Sequence, residues 1–453
     1  MTETSSMTYE QALAWWYQHV NYEQRTPTSD DLKLDRMRSL LARLDNPHLP
    51  LRILHVAGSK GKGSVCALFA SILQRAGYRT GLFTSPHLLR LEERFQIDGQ
   101  EISPQELVAV LCDVRAAAER PPALLPTFFE ISTAMAFLHF WRRRVDAVVL
   151  EVGLGGRLDS TNVCRPVLSV ITSISFDHMK LLGNTLASIA REKAGIIKPR
   201  VPVISGVTAD EPRQVIETIA RQRRAPLRQQ GRDFSFQHEP GHVSSRLPRV
   251  RVSTPRQVGL SLELNLLGEH QAANASVTIA GVEVLRERGW AIPDRAVLDG
   301  LAQVRWPGRM EVVRRDPLVV LDCAHNAASA AALVQTLDES FAQGPRLLVF
   351  AVSNDKDITG MFTQLRPAFS QVIFTRFESN PRAVPPTDLQ ARWGGGEVIE
   401  SPTEAIEVAL RRAPLVCVTG SVFLVGEIRA LMMGPTEANL PRASLAASGV
   451  FPG

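Results

Sequence analysis

Residues 55–64 read His-Val-Ala-Gly-Ser-Lys-Gly-Lys-Gly-Ser, and this stretch decides the fold of the chain. It closes an apolar run at 51–57, which predicts a buried strand, and it leads into 64–77, where apolar residues recur at helical spacing. Glycines in such a turn let backbone N–H groups approach phosphate oxygens, and the helix N-terminus adds a positive dipole. The stretch therefore predicts a nucleotide-binding loop.

Two side chains of the loop have predicted roles in this chemistry. We expect Lys62 to reach the β- and γ-phosphates of a nucleotide and the Ser64 hydroxyl to bind Mg²⁺. The loop departs from the strict G-x-x-x-x-G-K-[ST] pattern because Gly63 stands between Lys62 and Ser64. A flexible turn without a ligand is the alternative, but the flanking strand and helix favour nucleotide binding. The predicted ATP-binding residues here are Gly58, Ser59, Lys60, Gly61, Lys62, Gly63 and Ser64.

Apolar runs alternate with helical patterns along most of the chain, which is typical of parallel sheets with crossover helices. We predict an α/β protein of two domains. An N-terminal P-loop ATPase-like domain with a parallel sheet spans 1–304, a smaller C-terminal Rossmann-like α/β domain spans 305–433, and a flexible tail follows at 434–453. The predicted strands lie at 51–57, 80–84, 145–152, 167–174 and 202–206, and then at 318–323, 346–352, 371–377 and 415–419.

Two stretches between these series are irregular. Residues 234–256 are rich in Ser, Pro and Arg and have weak periodicity, so they predict edge strands or a loop of the first domain. Near residues 306–308, proline and glycine interrupt a helical pattern. We place the domain boundary there.

The composition excludes several classes of protein. With 453 residues, 45% hydrophobic and 21% charged, the chain is globular and not disordered, collagen-like or a small disulfide scaffold. Five cysteines without paired spacing indicate a reducing compartment, and we expect a cytoplasmic protein. No secretory leader or membrane-length apolar run is apparent, so we expect no membrane partner. A net charge of +5 fits a cleft for small anions, and without a basic-aromatic platform we expect no nucleic-acid partner.

Three polar residues stand at or just after the ends of predicted strands. Ser85 follows the second strand, Glu151 lies at the end of the third and His178 follows the fourth. Because open α/β sheets bind ligands at the carboxyl ends of their strands, these side chains are predicted to converge on Mg²⁺ beside the phosphates. Taken singly, each has a plainer interpretation: a turn residue before Pro86, an edge carboxylate and a hydrogen-bonded polar group. The phosphate loop upstream favours the metal site.

Further motifs follow the loop in a fixed order. They are Thr-Ser-Pro-His-Leu at 84–88, Glu-Val-Gly-Leu-Gly-Gly-Arg-Leu-Asp-Ser at 151–160, Ser-Phe-Asp-His at 175–178, Arg-Glu-Lys-Ala-Gly-Ile-Ile-Lys at 191–198, Leu-Gly-Glu-His-Gln-Ala-Ala-Asn at 267–274, Trp-Pro-Gly-Arg-Met-Glu at 306–311 and Asp-Cys-Ala-His-Asn at 322–326. In order and spacing the set resembles the dihydrofolate synthase/folylpolyglutamate synthase family of the Mur ligase superfamily, over about residues 32–429. The resemblance implies an ATP- and folate-binding first domain and a glutamate-ligase second domain.

The resemblance also implies an activity. Members of this family use ATP to join L-glutamate to 7,8-dihydropteroate through an acyl phosphate, or to extend reduced folates with further glutamates. The implied cofactors are ATP and two Mg²⁺ ions, and the implied state is a monomer whose partners are these small molecules. Lys193 matches a lysine that the family carbamylates, which turns a cationic amine into a carboxylate-like metal ligand. The implied metal ligands are Ser64, Ser85, Glu151, His178 and Lys193, and the implied catalytic residues are Lys62, Glu151, His178, Lys193 and Arg309.

Binding residues are implied in the same way. Arg309 and Asp322 match positions that hold the phosphates and ribose of ATP, and Asn274 and His325 match positions near the nucleotide. For the pterin substrate, the matching segments imply that one of two adjacent phenylalanine rings stacks on the pterin. The implied substrate-binding residues are Thr127, Phe128, Phe129, Glu130, Leu158, Asp159 and Ser160, with Leu34 and Arg36 from the N-terminal segment 31–37.

Two other functions are alternatives. A Mur-type cell-wall amino-acid ligase would use the same loop, glutamate, histidine and lysine, but it carries a separate N-terminal domain for a UDP-sugar, and only 57 residues precede Gly58. The segments 127–130 and 267–271 also favour the folate branch. A non-catalytic ATP-binding protein would not need Glu151, His178 and Lys193 beside a folate-contact segment.

Overall fold

The computed structural model describes residues 7–21, 33–176, 178–257 and 259–434. Within them the chain divides into two compact units between Trp306 and Pro307. Apart from Gly434, the predicted tail at 434–453 lies outside the described residues. No helix in these ranges is both long enough and apolar enough to cross a bilayer.

The first unit contains an eight-stranded and a three-stranded sheet within the described ranges. Its strands are β1 (Ile53–Ala57), β2 (Thr80–Phe83), β3 (Phe95–Ile97), β4 (Gln100–Glu101), β5 (Ala147–Glu151), β6 (Leu168–Ile171), β7 (Val203–Ser205), β8 (Leu227–Gln229), β9 (Ser235–Glu239), β10 (Arg249–Ser253) and β11 (Leu260–Glu263). Its helices are α1 (Tyr9–Tyr17), α2 (Leu34–Ala42), α3 (Lys62–Arg75), α4 (Pro104–Glu119), α5 (Phe128–Arg142), α6 (Met179–Leu182), α7 (Leu186–Lys193), α8 (Asp210–Gln222), α9 (Glu269–Glu287) and α10 (Asp294–Gln303).

The large sheet has the order β4-β3-β2-β5-β1-β6-β7-β8. The six strands β2, β5, β1, β6, β7 and β8 are parallel to one another. Strands β3 and β4 add an antiparallel hairpin next to β2, at one edge. The carboxyl ends of β2, β5, β1 and β6 therefore lie side by side. Residues that directly follow these four strands meet at one edge of the sheet.

Strand β1 shows why this sheet is buried on both faces. Its five residues are all buried. Leu54 and Val56 join a core cluster with α3 and α9, whereas Ile53 joins a second cluster with α1, α2 and α5. Successive side chains of a strand point to opposite faces, so each face of the sheet carries a helical layer. The parallel α/β fold predicted from continuous apolar runs is confirmed.

Residues 235–263 form a sheet of their own. Strands β9 and β11 pair antiparallel with β10 on its two sides. In β10, Val250 and Val252 are buried and Arg249 and Arg251 are exposed, and both valines join the core cluster of α9. The predicted strands are therefore present in the first unit, with β9 at an edge of this small sheet, and they pair with one another and not with the main sheet.

The second unit is a mixed sheet with helices, within the described residues. The order is β12-β13-β17-β14-β15-β16, in which β12 is antiparallel to β13 and the other pairs are parallel. The four strands predicted here are present, whereas β12 was missed because its sequence is mainly charged. The strands are β12 (Glu311–Arg315), β13 (Leu318–Leu321), β14 (Arg346–Phe350), β15 (Gln371–Phe374), β16 (Glu397–Val398) and β17 (Leu415–Thr419), and the helices are α11 (Ala327–Ser340), α12 (Ile358–Leu365), α13 (Pro386–Trp393), α14 (Pro402–Arg412) and α15 (Val422–Met433).

Candidate active site

The predicted phosphate loop is the turn between β1 and α3. Strand β1 ends at Ala57 and α3 begins at Lys62. Gly61 precedes the helix with a left-handed backbone, φ 81°, and without a side-chain cap. The N–H groups of the first helical turn have no acceptor inside the helix, so they are available to an anion in front of it. Together with the helix dipole, this geometry suits a phosphate group.

The loop is fixed by the chain that follows β6. The Ser59 N–H donates to the carbonyl oxygen of Ser173 (2.8 Å), and the Lys60 N–H donates to the Ser173 hydroxyl (3.0 Å). The Thr172 hydroxyl donates to the carbonyl oxygen of Lys60. These bonds set the shape of the loop. Sequence reasoning missed Thr172 and Ser173, although hydroxyl residues at the carboxyl end of a predicted strand were a usable signal.

Two glycines of the loop stand where no side chain fits. A Cβ at Gly61 would overlap the Asn274 amide, and a Cβ at Gly63 would lie 2.7 Å from a ring carbon of Trp306. Gly63, the departure from the strict loop pattern, thus makes room for Trp306. The structure also brings Asn274, on α9, against the phosphate loop.

Glu151 ends β5 beside the loop. Its side chain is buried, and Oε1 lies 4.0 Å from the Lys62 ammonium. Its other oxygen, Oε2, accepts the N–H of Ser85 (3.1 Å). Three residues predicted from separate motifs therefore meet at the carboxyl edge of the sheet. A carboxylate next to an ammonium group and a helix N-terminus is an arrangement suited to binding charged phosphates and a cation.

Lys193 is the last residue of α7 and is only 3% exposed. Its Nζ donates to the carbonyl oxygen of Gly58 (3.0 Å), at the start of the phosphate loop. Lysine is almost never fully buried without a specific partner. The structure thus places Lys193 at the loop and not on the solvated helix face that is ordinary for a lysine.

His178 lies on the segment after β6. It is exposed and has a left-handed backbone (φ 48°, ψ 39°) at the start of α6. A non-glycine residue in this conformation is uncommon and is often found at functional sites. Among the described residues, no three His, Cys, Asp or Glu side chains form a metal-binding group. The predicted magnesium site contains only Glu151 and His178 of these types, and its remaining members are hydroxyls and Lys193.

The segment 127–130 begins helix α5 and joins it to α2. Thr127 caps the helix, and the Glu130 carboxylate accepts the Thr127 N–H (2.7 Å) and the Arg36 Nε–H (2.6 Å). Arg36 and Leu34, both half-buried, lie in the first turn of α2. The structure thus brings together two of the three segments that were predicted to contact the substrate. Glu130 itself is buried and acts here as a helix cap and ion-pair partner.

The two adjacent phenylalanines have different surroundings. Phe128 is 1% exposed and stacks with Trp16 and with Tyr17, at ring-centroid distances of 5.0 and 5.6 Å. The prediction that Phe128 contacts the substrate is therefore corrected, because its ring belongs to the core. Phe129 is half-buried and its ring packs against Gly153. It is the ring of the pair that remains partly accessible.

The segment 158–160 is tied to its own loop. The Asp159 carboxylate accepts the N–H groups of Leu154 (2.8 Å) and Thr161 (3.0 Å). Burial raises the pKa of Asp159, and these hydrogen bonds oppose the increase. Ser160 is buried with its hydroxyl 2.6 Å from that of Thr133, and Leu158 is half-buried. Direct contact of these residues with the substrate stays a prediction.

In the second unit, Asp322 and His325 of the predicted ATP-binding residues follow β13, and Arg309 precedes β12. Both carboxylate oxygens of Asp322 accept backbone N–H groups, from Met310 (3.0 Å) and Ala324 (2.9 Å). Burial raises the pKa of Asp322, and the charge of Arg309 opposes this increase. His325 Nδ1 lies 2.8 Å from the Cys323 carbonyl oxygen, which can only accept, so Nδ1 carries the proton. The bond from Met310 thus brings the segment that carries Arg309 against Asp322, three residues before His325.

His55 of β1 predicts a pH-dependent stability. Burial, with a smaller contribution from Lys198, lowers the pKa of His55 from 6.5 to about 3. In the unfolded chain the imidazole titrates near its ordinary value of about 6.5, so between that pH and 3 the unfolded state binds more protons and stability falls as the pH falls. This one group is expected to remove about 2 kcal/mol of stability between pH 7 and pH 5.

Urea unfolding of the protein and of His55→Gln at both pH values measures this effect. The loss of stability on acidification should be about 2 kcal/mol smaller in the variant, because glutamine does not titrate. An equal loss in both proteins would show that His55 does not contribute.

The two units of this protein have the domains of the Mur ligase superfamily. Residues 56–282 match the Mur ligase middle domain, and residues 308–422 match the Mur ligase glutamate ligase domain. The phosphate loop, Glu151, His178 and Lys193 all fall in the first match, and Asp322 and His325 fall in the second.

More specific similarity comes from individual relatives. The dihydrofolate synthase/folylpolyglutamate synthase of Bacillus subtilis is 36% identical over 439 residues, which cover 93% of this chain and 98% of that protein. The folylpolyglutamate synthase structure from Thermotoga maritima has a TM-score of 0.82 at 33% identity and covers 94% of this chain and 96% of that one. Escherichia coli FolC in complex with DHPP and ADP has a TM-score of 0.82 at 30% identity, with 96% and 99% covered. The chain belongs to the dihydrofolate synthase/folylpolyglutamate synthase family, as its motifs predicted.

Proposed function

We propose that this protein uses ATP to add L-glutamate to 7,8-dihydropteroate, giving dihydrofolate, and to reduced folylpoly-γ-glutamates. The observation that carries the proposal is the meeting of Lys62, Glu151 and the N-terminus of α3 at one sheet edge. Two residues after Glu151, Gly153 packs against the partly accessible Phe129 ring. Support also comes from the Bacillus subtilis relative, which is named for both synthase activities, and from E. coli FolC, whose complex contains DHPP and ADP.

The reaction divides into two chemical steps. In the first, the carboxylate of the pteroate or folate attacks the γ-phosphorus of ATP, which gives an acyl phosphate and ADP. Lys62 would offset charge on the transferring phosphoryl group, and the N–H groups at the start of α3 would bind the adjacent phosphates of ATP. In the second, the amine of L-glutamate attacks the acyl carbon and expels inorganic phosphate.

The second unit supplies further groups in this proposal. Arg309 is proposed to stabilise the phosphate charge and Asp322 to accept hydrogen bonds from the ribose. His325 is proposed to lie near the nucleotide. Because the Asp322 oxygens are already oriented by two backbone N–H groups, the carboxylate is held ready for a hydroxyl donor.

The donors at the sheet edge suit Mg²⁺. Glu151 provides a buried carboxylate, and Ser64 and Ser85 provide hydroxyl oxygens, the hard ligands that Mg²⁺ prefers. His178 and a modified Lys193 complete the proposed set, for two ions. When bound, Mg²⁺ would neutralise part of the negative charge of the ATP phosphates.

Lys193 fits this set only after modification. An unmodified ammonium group would repel a cation, and here it donates to the Gly58 carbonyl oxygen. A carbamate on Nζ would exchange that positive charge for a negative one at a buried position beside the loop. We therefore propose that the active enzyme carries a carbamylated Lys193.

The Phe129 ring and Gly153 are proposed to form a wall of the pterin site, and Gly153→Ala tests this assignment. A Cβ at this position would overlap the Phe129 ring, so the ring must move. Overpacking of this kind costs about 1–3 kcal/mol, and we expect the KM for 7,8-dihydropteroate to rise about 10-fold or more. The KM for ATP should stay within about twofold, since Phe129 does not belong to the phosphate loop. Initial rates with each substrate varied in turn measure both constants. Equal increases in the two KM values would mean that Phe129 does not lie against the pterin.

Phosphate release tests the activity as a whole. The protein is supplied with MgATP and L-glutamate, together with 7,8-dihydropteroate, tetrahydrofolate or a UDP-MurNAc-peptide, and Lys62→Ala serves as the control. Release with both folate substrates supports both activities, and release with only one of them identifies which of the two activities the protein has. Release only with the cell-wall peptide, or with none of the three, would overturn the proposed function.

A further inference from the structure

A buried chain of hydrogen bonds links β1 to the segment after β5. The His55 Nε2 lies 2.9 Å from the Thr161 hydroxyl, and the His55 Nδ1 lies 3.7 Å from the Cys164 sulfur. The Thr161 hydroxyl also contacts the Asp159 carboxylate. All four residues are buried. We name Cys164, His55, Thr161 and Asp159 the His55 chain.

The direction of this chain follows from its carboxylate end. Oδ1 of Asp159 also accepts the Thr161 N–H, and Oδ2 accepts the Leu154 N–H, which are bonds that favour the ionised form. An ionised carboxylate only accepts, so the Thr161 hydroxyl gives its single proton to Asp159. Thr161 must then accept from His55, whose proton is on Nε2. The Nδ1 atom is left to accept the thiol proton of Cys164.

The chain ends at the wall that is proposed to bind the pterin. Asp159 closes the loop that begins at Gly153, and Gly153 packs against the Phe129 ring. On the other side, Ser160 meets the Thr133 hydroxyl, which donates to the Phe129 carbonyl oxygen (2.7 Å). The loop 153–160 therefore contacts Phe129 at its ring, through Gly153, and at its carbonyl oxygen, through Ser160 and Thr133. Within the His55 chain, the imidazole is the group that connects this loop to β1.

We propose that His55 is a positioning residue that fixes the pterin-binding loop through Thr161, as a neutral Nε2–H imidazole. The proposal rests on the proposed function, because it assigns the loop to the pterin. His55 touches no phosphate-loop side chain through these bonds, although it lies three residues before Gly58. It acts through Thr161 on substrate affinity and takes no part in proton transfer to the reacting atoms. A strongly lowered pKa, to about 3, agrees with an imidazole that stays neutral at working pH.

Matched variants keep or break single bonds of the chain. His55→Gln places an N–H near the Nε2 position, whereas His55→Asn places its amide near Nδ1. Thr161→Ser keeps the hydroxyl, and Thr161→Val removes it. We expect His55→Asn and Thr161→Val to raise the KM for 7,8-dihydropteroate about 10-fold, as for a lost buried hydrogen bond, and the conservative partners to stay within about threefold of the parent.

The KM for ATP and the pH profile separate positioning from general stability. In all four variants we expect the KM for ATP to change less than about twofold and the pH dependence of kcat to stay that of the parent. Equal rises in both KM values, or equal effects of the conservative and disruptive partners, would overturn the proposal. Circular dichroism identifies any variant that fails to fold. If the His55 variants do not fold, the comparison of Thr161→Ser with Thr161→Val provides the test.

The tautomer of His55 gives a readout that is independent of turnover. Histidine ¹⁵N spectra of the protein, with His55→Gln to assign the signal, should show protonated Nε2 and unprotonated Nδ1. The reverse tautomer would mean that Asp159 is protonated and that the chain runs the other way, which would overturn the proposal. If the parent protein turns over neither 7,8-dihydropteroate nor tetrahydrofolate, the proposed function fails, whereas parent turnover of 7,8-dihydropteroate with unchanged Thr161→Val kinetics defeats only this inference.

Discussion

Lys62→Ala is expected to lower kcat by about 10³-fold or more, because the Lys62 ammonium, 4.0 Å from Glu151, is the group proposed to stabilise the transferring phosphoryl group. Lys62 is the first residue of α3, and the proposed mechanism assigns its ammonium to the charge that develops on the transferring phosphoryl group. The substitution leaves the backbone N–H groups of the loop in place. Nucleotide binding should therefore weaken less than catalysis. Phosphate release and the affinity for a non-hydrolysable ATP analogue measure the two effects separately.

Lys60→Ala provides the comparison for this experiment. Lys60 stands two residues earlier, and its backbone is held by Thr172 and Ser173. Since these bonds involve only main-chain atoms of Lys60, its substitution should raise the KM for ATP several-fold and leave kcat within about 10-fold of the parent. Equal losses of kcat in the two variants would mean that loop shape or net charge, and not the position of Lys62, determines the rate.

Lys193→Ala is expected to lose activity by about 10³-fold and to regain part of it with short carboxylates such as acetate or butyrate. The substitution empties a buried position beside Gly58, in which a free carboxylate can replace the proposed carbamate. Lys193→Arg is the matched control, because it keeps a positive charge and cannot be carbamylated. We expect the arginine variant to be inactive with or without carboxylate. Rates of phosphate release over a series of carboxylate concentrations provide the measurement.

The opposite pattern would identify a different role for Lys193. If the unmodified ammonium group acts only as a hydrogen-bond donor to the Gly58 carbonyl oxygen, arginine should retain part of the activity. Carboxylates would then not restore the alanine variant. That outcome would contradict the carbamate and leave a lysine that supports the loop.

Much of the fold could be predicted because the parallel strands are buried on both faces. Such strands read as continuous apolar runs. The run at 415–419 coincides with β17, and the run at 51–57 contains β1 with two extra residues. The sheet at 235–263 was harder to interpret because β10 alternates arginine and valine, a pattern that does not identify its partner strands.

The site was predictable where single motifs carry it and less so where contacts join distant segments. Arg36 and Glu130 were assigned separately, and their bond joins residues 94 positions apart. Phe128 and Phe129 are neighbours in sequence, but successive helical residues point in directions about 100° apart. One ring enters the core and the other faces Gly153, a difference that depends on where Trp16 packs.

The contact between Gly63 and Trp306 gives this protein an optical reporter. The indole lies against the phosphate loop, and its buried Nε1 lacks a hydrogen-bond partner in the described structure. Indole emission responds to nearby charge and polarity, so ATP at the loop should change the fluorescence of Trp306. The chain has six tryptophans, and Trp306→Phe would identify the contribution of this one. Titration of the protein with nucleotide would then follow occupancy of the loop without labels and without turnover.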